Sequence, residues 1–96
     1  MDSATALREF LEYVISQLID HPEEAAIAHH FERGKHFFRV TLNEEDVGRV
    51  IGKSGSTISA IRSLLDAAAS NNRERVSLNV GHPGEPGDRD GRAGRR

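Results

Sequence analysis

Leu7, Phe10, Leu11, Val14, Ile15, Leu18 and Ile19 recur at steps of three and four, which puts one continuous apolar stripe on a helix over residues 3–19. Asp2 or Ser3 is positioned to cap its start. The Asp-His-Pro run at 20–22 ends it, because proline pushes the preceding residue out of helical geometry. Residues 26–42, AIAHHFERGKHFFRVTL, read instead as a β-hairpin, with β-branched and aromatic residues on both sides of a turn at Arg33 and Gly34. A two-residue turn pairs Phe31 with His36, His29 with Phe38 and Ile27 with Val40. One face then carries Ile27, His29, Phe31, Phe38, Val40 and Leu42 toward a core. Ala26, Ala28, His30, Phe37, Arg39 and Thr41 form a more polar face, open to solvent or to a partner.

The second half returns to helical spacing. NEEDVGRVI, residues 43–51, predicts a short helix capped by Asn43, with acidic residues in the first turn where the helix dipole favours them. Ile58, Ile61, Leu64, Leu65 and Ala68 mark another amphipathic helix beginning at Ser56 and closing at Ser-Asn-Asn, 70–72. RVSLNV, residues 75–80, alternates as a strand. Two helices between the second and third strands give a crossover long enough for parallel pairing. The order α-β-β-α-α-β predicts an α+β fold, a mixed three-stranded sheet with three helices packed on one face.

Composition narrows the function. The last sixteen residues, GHPGEPGDRDGRAGRR, hold too much Gly, Pro and charge to join a core, so residues 1–80 form one domain and 81–96 a disordered Gly/Arg-rich tail. A unit of that size favours binding over catalysis, and no Ser-His-Asp or paired-carboxylate arrangement stands out. No enzymatic role and no cofactor are expected. The chain has no cysteine, which excludes disulfides and zinc-thiolate sites. His29 and His36 converge on one strand face while His30 points to the other, so the histidines offer two ligands at most and no metal is expected. No stretch is apolar enough for a membrane span or a leader, which predicts a cytoplasmic protein.

The formal charge of −2 hides a division: residues 1–48 carry four Lys/Arg against ten Asp/Glu, and residues 49–96 carry nine against five. The halves are therefore −6 and +4, and the second half has the sign that attracts phosphate.

That half also holds GRVIGKSGSTI, residues 48–58. Gly-Lys-Ser ends a Walker phosphate loop, but such a loop needs glycine five residues before Gly52, where Val47 stands, and it should follow a buried strand. The alternative is a link between two helices. Glycine at both ends of Gly52-Lys53-Ser54-Gly55 permits a sharp turn and close approach of a sugar-phosphate backbone. The amides of Ser54, Gly55 and Ser56 then lie at a helix start, where free N–H groups and the dipole attract anions, and Lys53 adds a full charge.

VIGKSGSTISAIRSLL, residues 50–65, resembles the Val/Ile-Ile-Gly-x-x-Gly-x-x-Ile signature of the K-homology (KH) RNA-binding domain. The element order resembles the type II arrangement, over roughly residues 5–80. With the short length, the chain is most similar to the small bacterial single-KH proteins of the KhpA type. The resemblance implies a groove for about four nucleotides of single-stranded RNA, clamped by the GxxG loop. By position Gly52, Lys53, Ser54 and Gly55 carry over as the clamp. Val47, Val50, Ile51 and Ile58 become groove floor or simple packing, and Arg49 and Arg62 rim phosphate contacts or a solvated helix face.

Only one basic residue stands in the loop, so affinity through the clamp alone should be weak. The resemblance further implies a post-transcriptional regulator or RNA chaperone. The alternative is an interaction module that forms a homodimer, or a heterodimer with another KH protein, through Phe37 or the first helix. Single-stranded DNA is a possible ligand, because a loop that meets phosphates does not detect a 2′-hydroxyl. Arg89, Arg92, Arg95 and Arg96 make the tail either an arm that raises encounter with RNA or a solubilising terminus.

Overall fold

A computed structural model of the chain describes residues 3–84. Asp2 and the arginine-bearing stretch of the tail lie outside the described residues. The elements are α1 (Ser3–Leu18), a 3₁₀ turn (Pro22–Glu24), β1 (Ala26–Glu32), β2 (Lys35–Thr41), α2 (Glu44–Ile51), a second 3₁₀ turn (Lys53–Gly55), α3 (Ser56–Ser70) and β3 (Arg75–Gly81). The sheet order is β1-β2-β3, with β1 antiparallel and β2 parallel to their neighbours β2 and β3. The α+β architecture read from the sequence is the one observed, a type II KH fold.

Arg33 (φ 56°) and Gly34 (φ 77°) both take positive φ, the signature of the two-residue turn whose twist suits a hairpin. The expected pairs Phe31–His36, His29–Phe38 and Ile27–Val40 are all present. The open face therefore carries Ala26, Ala28, His30, Phe37, Arg39 and Thr41, as alternation requires. β3 runs one residue past Val80, and the Gly81 carbonyl accepts the Leu42 N–H at 2.9 Å.

The three helices cover the other face. Leu7, Leu11 and Ile15 of α1 meet Phe38, Val40 and Leu42, Val50 of α2, Ile58, Ile61, Leu65 and Ala69 of α3, and Leu78 of β3. The expected stripe of α3 is rotated by part of a turn. Leu64 and Ala68 are exposed, and Ala69 is buried in their place. α3 buries its Ile58-Ile61-Leu65-Ala69 line in the core, and Leu64 and Ala68 line a groove between α3 and α1.

Ser3 does not act as a helix cap. Its hydroxyl donates to Glu74 Oε1 at 2.7 Å, tying the start of α1 to the segment before β3.

Candidate nucleic-acid interface

α2 is short and must be held at both ends to place the loop that follows it. At its start Asn43 Oδ1 accepts the Glu45 N–H at 2.8 Å, the expected cap. Asp46 does more than complement the dipole. It is fully buried, and its two carboxylate oxygens accept the amides of Asp20 (3.0 Å) and His21 (2.9 Å), in the turn just beyond α1. Burial works to raise the Asp46 carboxyl, but these amides, with the charges of His21 and Arg49, outweigh it and hold it below the ordinary aspartate value. Asp46 thus ends α1 and anchors α2 with one side chain. Only its place on the buried side of an otherwise acidic first turn could have signalled this from the sequence.

Gly52 stops α2. Its N–H completes the helix on Gly48 O at 2.9 Å, while its φ of 77° and ψ of 173° lie where only glycine sits comfortably. Lys53–Gly55 then form a single tight turn, with Ser54 (φ 55°, ψ 25°) and Gly55 (φ 76°, ψ 13°) both left-handed. The turn corrects the expectation of three free amides. The Gly55 N–H donates to Gly52 O at 3.1 Å and the Ser56 N–H to Lys53 O, so both are spent inside the loop. Of the three, the Ser54 N–H alone has no acceptor among the described residues. The side chains of Lys53 and Ser54 are exposed at the tip. The loop therefore holds its own shape and offers an ammonium, a hydroxyl and one amide outward.

α3, the helix that follows the loop, and β3 enclose an open cleft of about 270 Å³, lined by Lys35, Arg62, Leu65, Asp66 and residues 76–79. Arg62 lies six residues into α3, about 9 Å along the axis from the loop. Its guanidinium donates to Leu78 O at 3.0 Å and bridges the cleft. β3 is an edge strand. The Arg75 N–H and the Gly81 carbonyl are bonded toward β2, so the alternating peptide groups of Val76, Leu78 and Val80 point to the open edge. The alternation of β3 marks it as a strand, but does not reveal its contribution to a cleft. The signal for that is the two-helix crossover, which leaves the last strand unpaired on one side.

The ten residues singled out in the sequence fall into three groups. Gly52, Lys53, Ser54, Gly55 and Ser56 lie on or beside the loop, with Ile51 half-buried at its base. Val50 and Ile58 are core residues beneath it. Arg49 and Arg62 are both engaged: Arg49 reaches Asp20 Oδ2 at 2.9 Å and Asp46 Oδ1 at 3.5 Å, on the α1 side of α2. Val47 and Ile51 occupy the opposite flank of that helix, half-buried.

The histidines converge as expected, in a hydrogen-bonded chain. His29 Nε2 lies 2.9 Å from His36 Nδ1, and His36 Nε2 lies 2.7 Å from Glu74 Oε1. The hydrogen bond from His36, with that from Ser3, holds Glu74 below the usual carboxylate value. Among the described residues, His21, Glu23 and Glu24 bring three potential metal-ligand atoms within 4.8 Å of one another. His21 Nε2 is bonded to Glu45 there, at 3.2 Å, and that bond raises its pKa.

Comparisons with known proteins bear on this geometry. The family model for the KhpA/KhpB KH domain matches residues 8–80. The chain is 43% identical to the RNA-binding protein KhpA of Chlamydia pneumoniae over 76 residues, 77% of this chain and 95% of the relative. It is 40% identical to the RNA-binding protein KhpA of Thermotoga maritima over 68 residues, 71% and 91% of the two chains. The RNA-binding protein KhpA of Listeria monocytogenes is 32% identical over 74 residues, 77% and 97%. No solved structure matches.

Proposed function

Because this chain belongs to the KhpA/KhpB KH-domain family, we propose that it is an RNA-binding protein that holds a short single strand with the 52–55 loop. The observation that carries the reading is the loop itself. Lys53 and Ser54 project from a turn closed by its own hydrogen bonds, with the Ser54 amide unspent among the described residues, at the start of the helix that lines the α3–β3 cleft. A phosphate passing over the tip meets a charge and two neutral donors. The self-association alternative draws less support, since the names carried by the relatives are those of RNA-binding proteins.

In this reading the side chains divide their work. Lys53, Ser54 and the glycines receive the backbone, while Ser56 extends the polar rim. Ile51 and Val47 give a half-buried apolar border, and Val50 and Ile58 support it from the core. Arg62, fixed on Leu78 O, keeps further N–H donors for a phosphate or base. The open edge provides the peptide groups of Val76 and Val80 and the Leu78 N–H, which match the donor and acceptor edges of unpaired bases.

The test is binding of a four-nucleotide single-stranded RNA to the intact protein and to Lys53→Asp/Ser54→Asp. Both side chains are exposed, so the variant should melt like the wild type. Affinity should fall at least about tenfold, the size of losing one charge-assisted hydrogen bond. Equal affinities would remove the loop from the function. The matching DNA in the same assay separates a 2′-hydroxyl reader from a phosphate reader.

A further inference from the structure

The acidic first half of the chain hides a basic surface. Its carboxylates lie mostly on α1, the Pro22–Glu24 turn and α2, on the helical side of the sheet. The opposite face is different. Strand register sets Lys35 beside Arg75, Phe37 beside His30 and Ser77, and Arg39 beside Ala28 and Asn79. Glu32 is the one acid in this array, and it is bonded to His30 Nε2 at 3.0 Å.

At the centre stands Phe37, 38% exposed on a strand whose other large apolar residues, Phe38 and Val40, point inward. The Lys35 ammonium lies 5.2 Å from its ring centroid, and the His30 ring lies 5.8 Å away on the other strand. Ala28 is too small to fill the space beside the ring. This leaves a shallow hollow of about 170 Å³ between His30, Phe37, Arg39 and Asn79. An aromatic wall, a guanidinium and a carboxamide around one hollow suit a flat, hydrogen-bonding ring attached to a negative chain.

The hollow also adjoins the cleft. Asn79 lines both, and Lys35 lines the cleft while lying over Phe37. A strand rounding the β3 edge from the α3–β3 cleft would therefore meet Asn79 and Lys35 beside the ring of Phe37.

We propose that the open sheet face is a second contact surface for single-stranded RNA, where Phe37 stacks a base and Lys35 and Arg75 meet phosphates. It extends the path of the strand around β3 at Asn79. An anionic chain is drawn to this face by charge, and a chain carrying flat bases is selected by the ring. The path from the cleft rests on the loop reading above; the basic aromatic face does not.

The test uses the full chain and single-stranded RNAs of four and twelve nucleotides, mixed in sequence and without self-complementarity. Phe37→Leu keeps apolar bulk and removes the ring. It should weaken the twelve-mer by about fivefold or more, the low end of stacking one base, and leave the four-mer unchanged. Phe37→Trp should restore twelve-mer affinity. Arg75→Ser should make the salt dependence of twelve-mer binding shallower by nearly one phosphate.

The face is excluded if the twelve-mer is insensitive to Phe37→Leu, or if both RNAs weaken equally, since the ring would then act through the fold. A change in light scattering on Phe37→Leu with unchanged RNA binding would assign the face to protein contact and overturn the proposal. The loop fails separately: retention of both RNAs by Lys53→Asp/Ser54→Asp removes the clamp, while twelve-mer loss on Phe37→Leu still supports the face. A wild type that binds neither RNA overturns both.

Discussion

A Cβ placed on Gly52 would stand 2.3 Å from Thr57 Oγ1 and 2.9 Å from the Thr57 amide nitrogen. The end of α2 is thus pressed against the first turn of α3, and the loop between them has little freedom to change its reach. Gly55 has the same sign of φ but nothing within 4 Å of its would-be Cβ. The two glycines of the loop are therefore unequal: one admits a close contact, the other only a left-handed turn.

Alanine at the two positions should separate these roles. Gly52→Ala combines a glycine-only backbone conformation with a collision against backbone and side chain, and should cost on the order of 3 kcal/mol. Gly55→Ala meets only the left-handed penalty, about 1–2 kcal/mol. Urea midpoints at constant slope read both. A Gly55→Ala cost equal to or above that of Gly52→Ala would mean that the contact with Thr57 does not constrain the loop.

Asp46 makes the junction of α1 and α2 sensitive to acid. Its folded pKa is depressed, so its contribution is complete above the unfolded value of about 3.9 and is lost as pH falls through the folded value. Asp46→Asn keeps the shape but offers one acceptor oxygen to two amides. It should lower the Tm at pH 7, and the gap from wild type should narrow below about pH 4. A gap independent of pH would show that the charge at Asp46 contributes nothing.

His21 has the opposite sign at the same junction. The bond to Glu45, which burial opposes in part, raises its folded pKa, so its contribution is complete below about 6.5 and fades as pH rises through the folded value. His21→Gln should therefore reduce the Tm more at pH 5.5 than at pH 8.5, by a small margin because the ring is one-third exposed. Thermal melts in one buffer series check it.

Buried and exposed leucines on the two long helices should differ sharply. Leu11 is completely buried, and Leu11→Ala should cost roughly 2–5 kcal/mol. Leu64 is 56% exposed, and Leu64→Ala should stay within about 0.5 kcal/mol. Denaturant titration distinguishes them, and a large cost at Leu64 would imply that a partner or a second copy covers it in solution.

Much of this fold is legible in the amino-acid sequence because the relevant signals are local. The stripe from Leu7 to Leu18, the Arg33-Gly34 turn and the Asn43 cap each depend on neighbours a few residues away, and each folds as expected, with the helix ending one residue early at Leu18. What the sequence hides depends on contacts distant in the chain. Asp46 looks like a dipole-complementing first-turn acid until the amides of Asp20 and His21 arrive from α1. Leu64 shares the spacing of a core residue, and only the packing of α3 against the rest of the fold leaves it exposed. Glu74 gains its partners Ser3 and His36 from positions 71 and 38 residues away in the chain. The loop shows both sides. Its glycines announce a tight turn, but the turn consumes the Gly55 and Ser56 amides, which a motif alone does not reveal.

The division between Lys53 and Arg49 gives the most direct check on which charges face RNA. Lys53 extends from the tip of the loop, whereas Arg49 is neutralised by Asp20 and Asp46 on the side of α2 away from Val47 and Ile51. Each single-strand phosphate neutralised adds about 0.7 to the slope of log affinity against log salt. If Lys53 supplies one such contact, raising salt fourfold should weaken its share of four-mer binding by only about threefold. Lys53→Ala should then flatten the slope by about 0.7 and leave the melting temperature in place. Arg49→Ala should do the reverse, lowering the Tm through loss of the link to α1 while leaving four-mer affinity and slope unchanged. If Arg49→Ala instead flattens the slope without lowering the Tm, the guanidinium must leave its carboxylates to meet the strand. The rim of the groove would then lie on the α1 side of α2, opposite to the α3–β3 cleft.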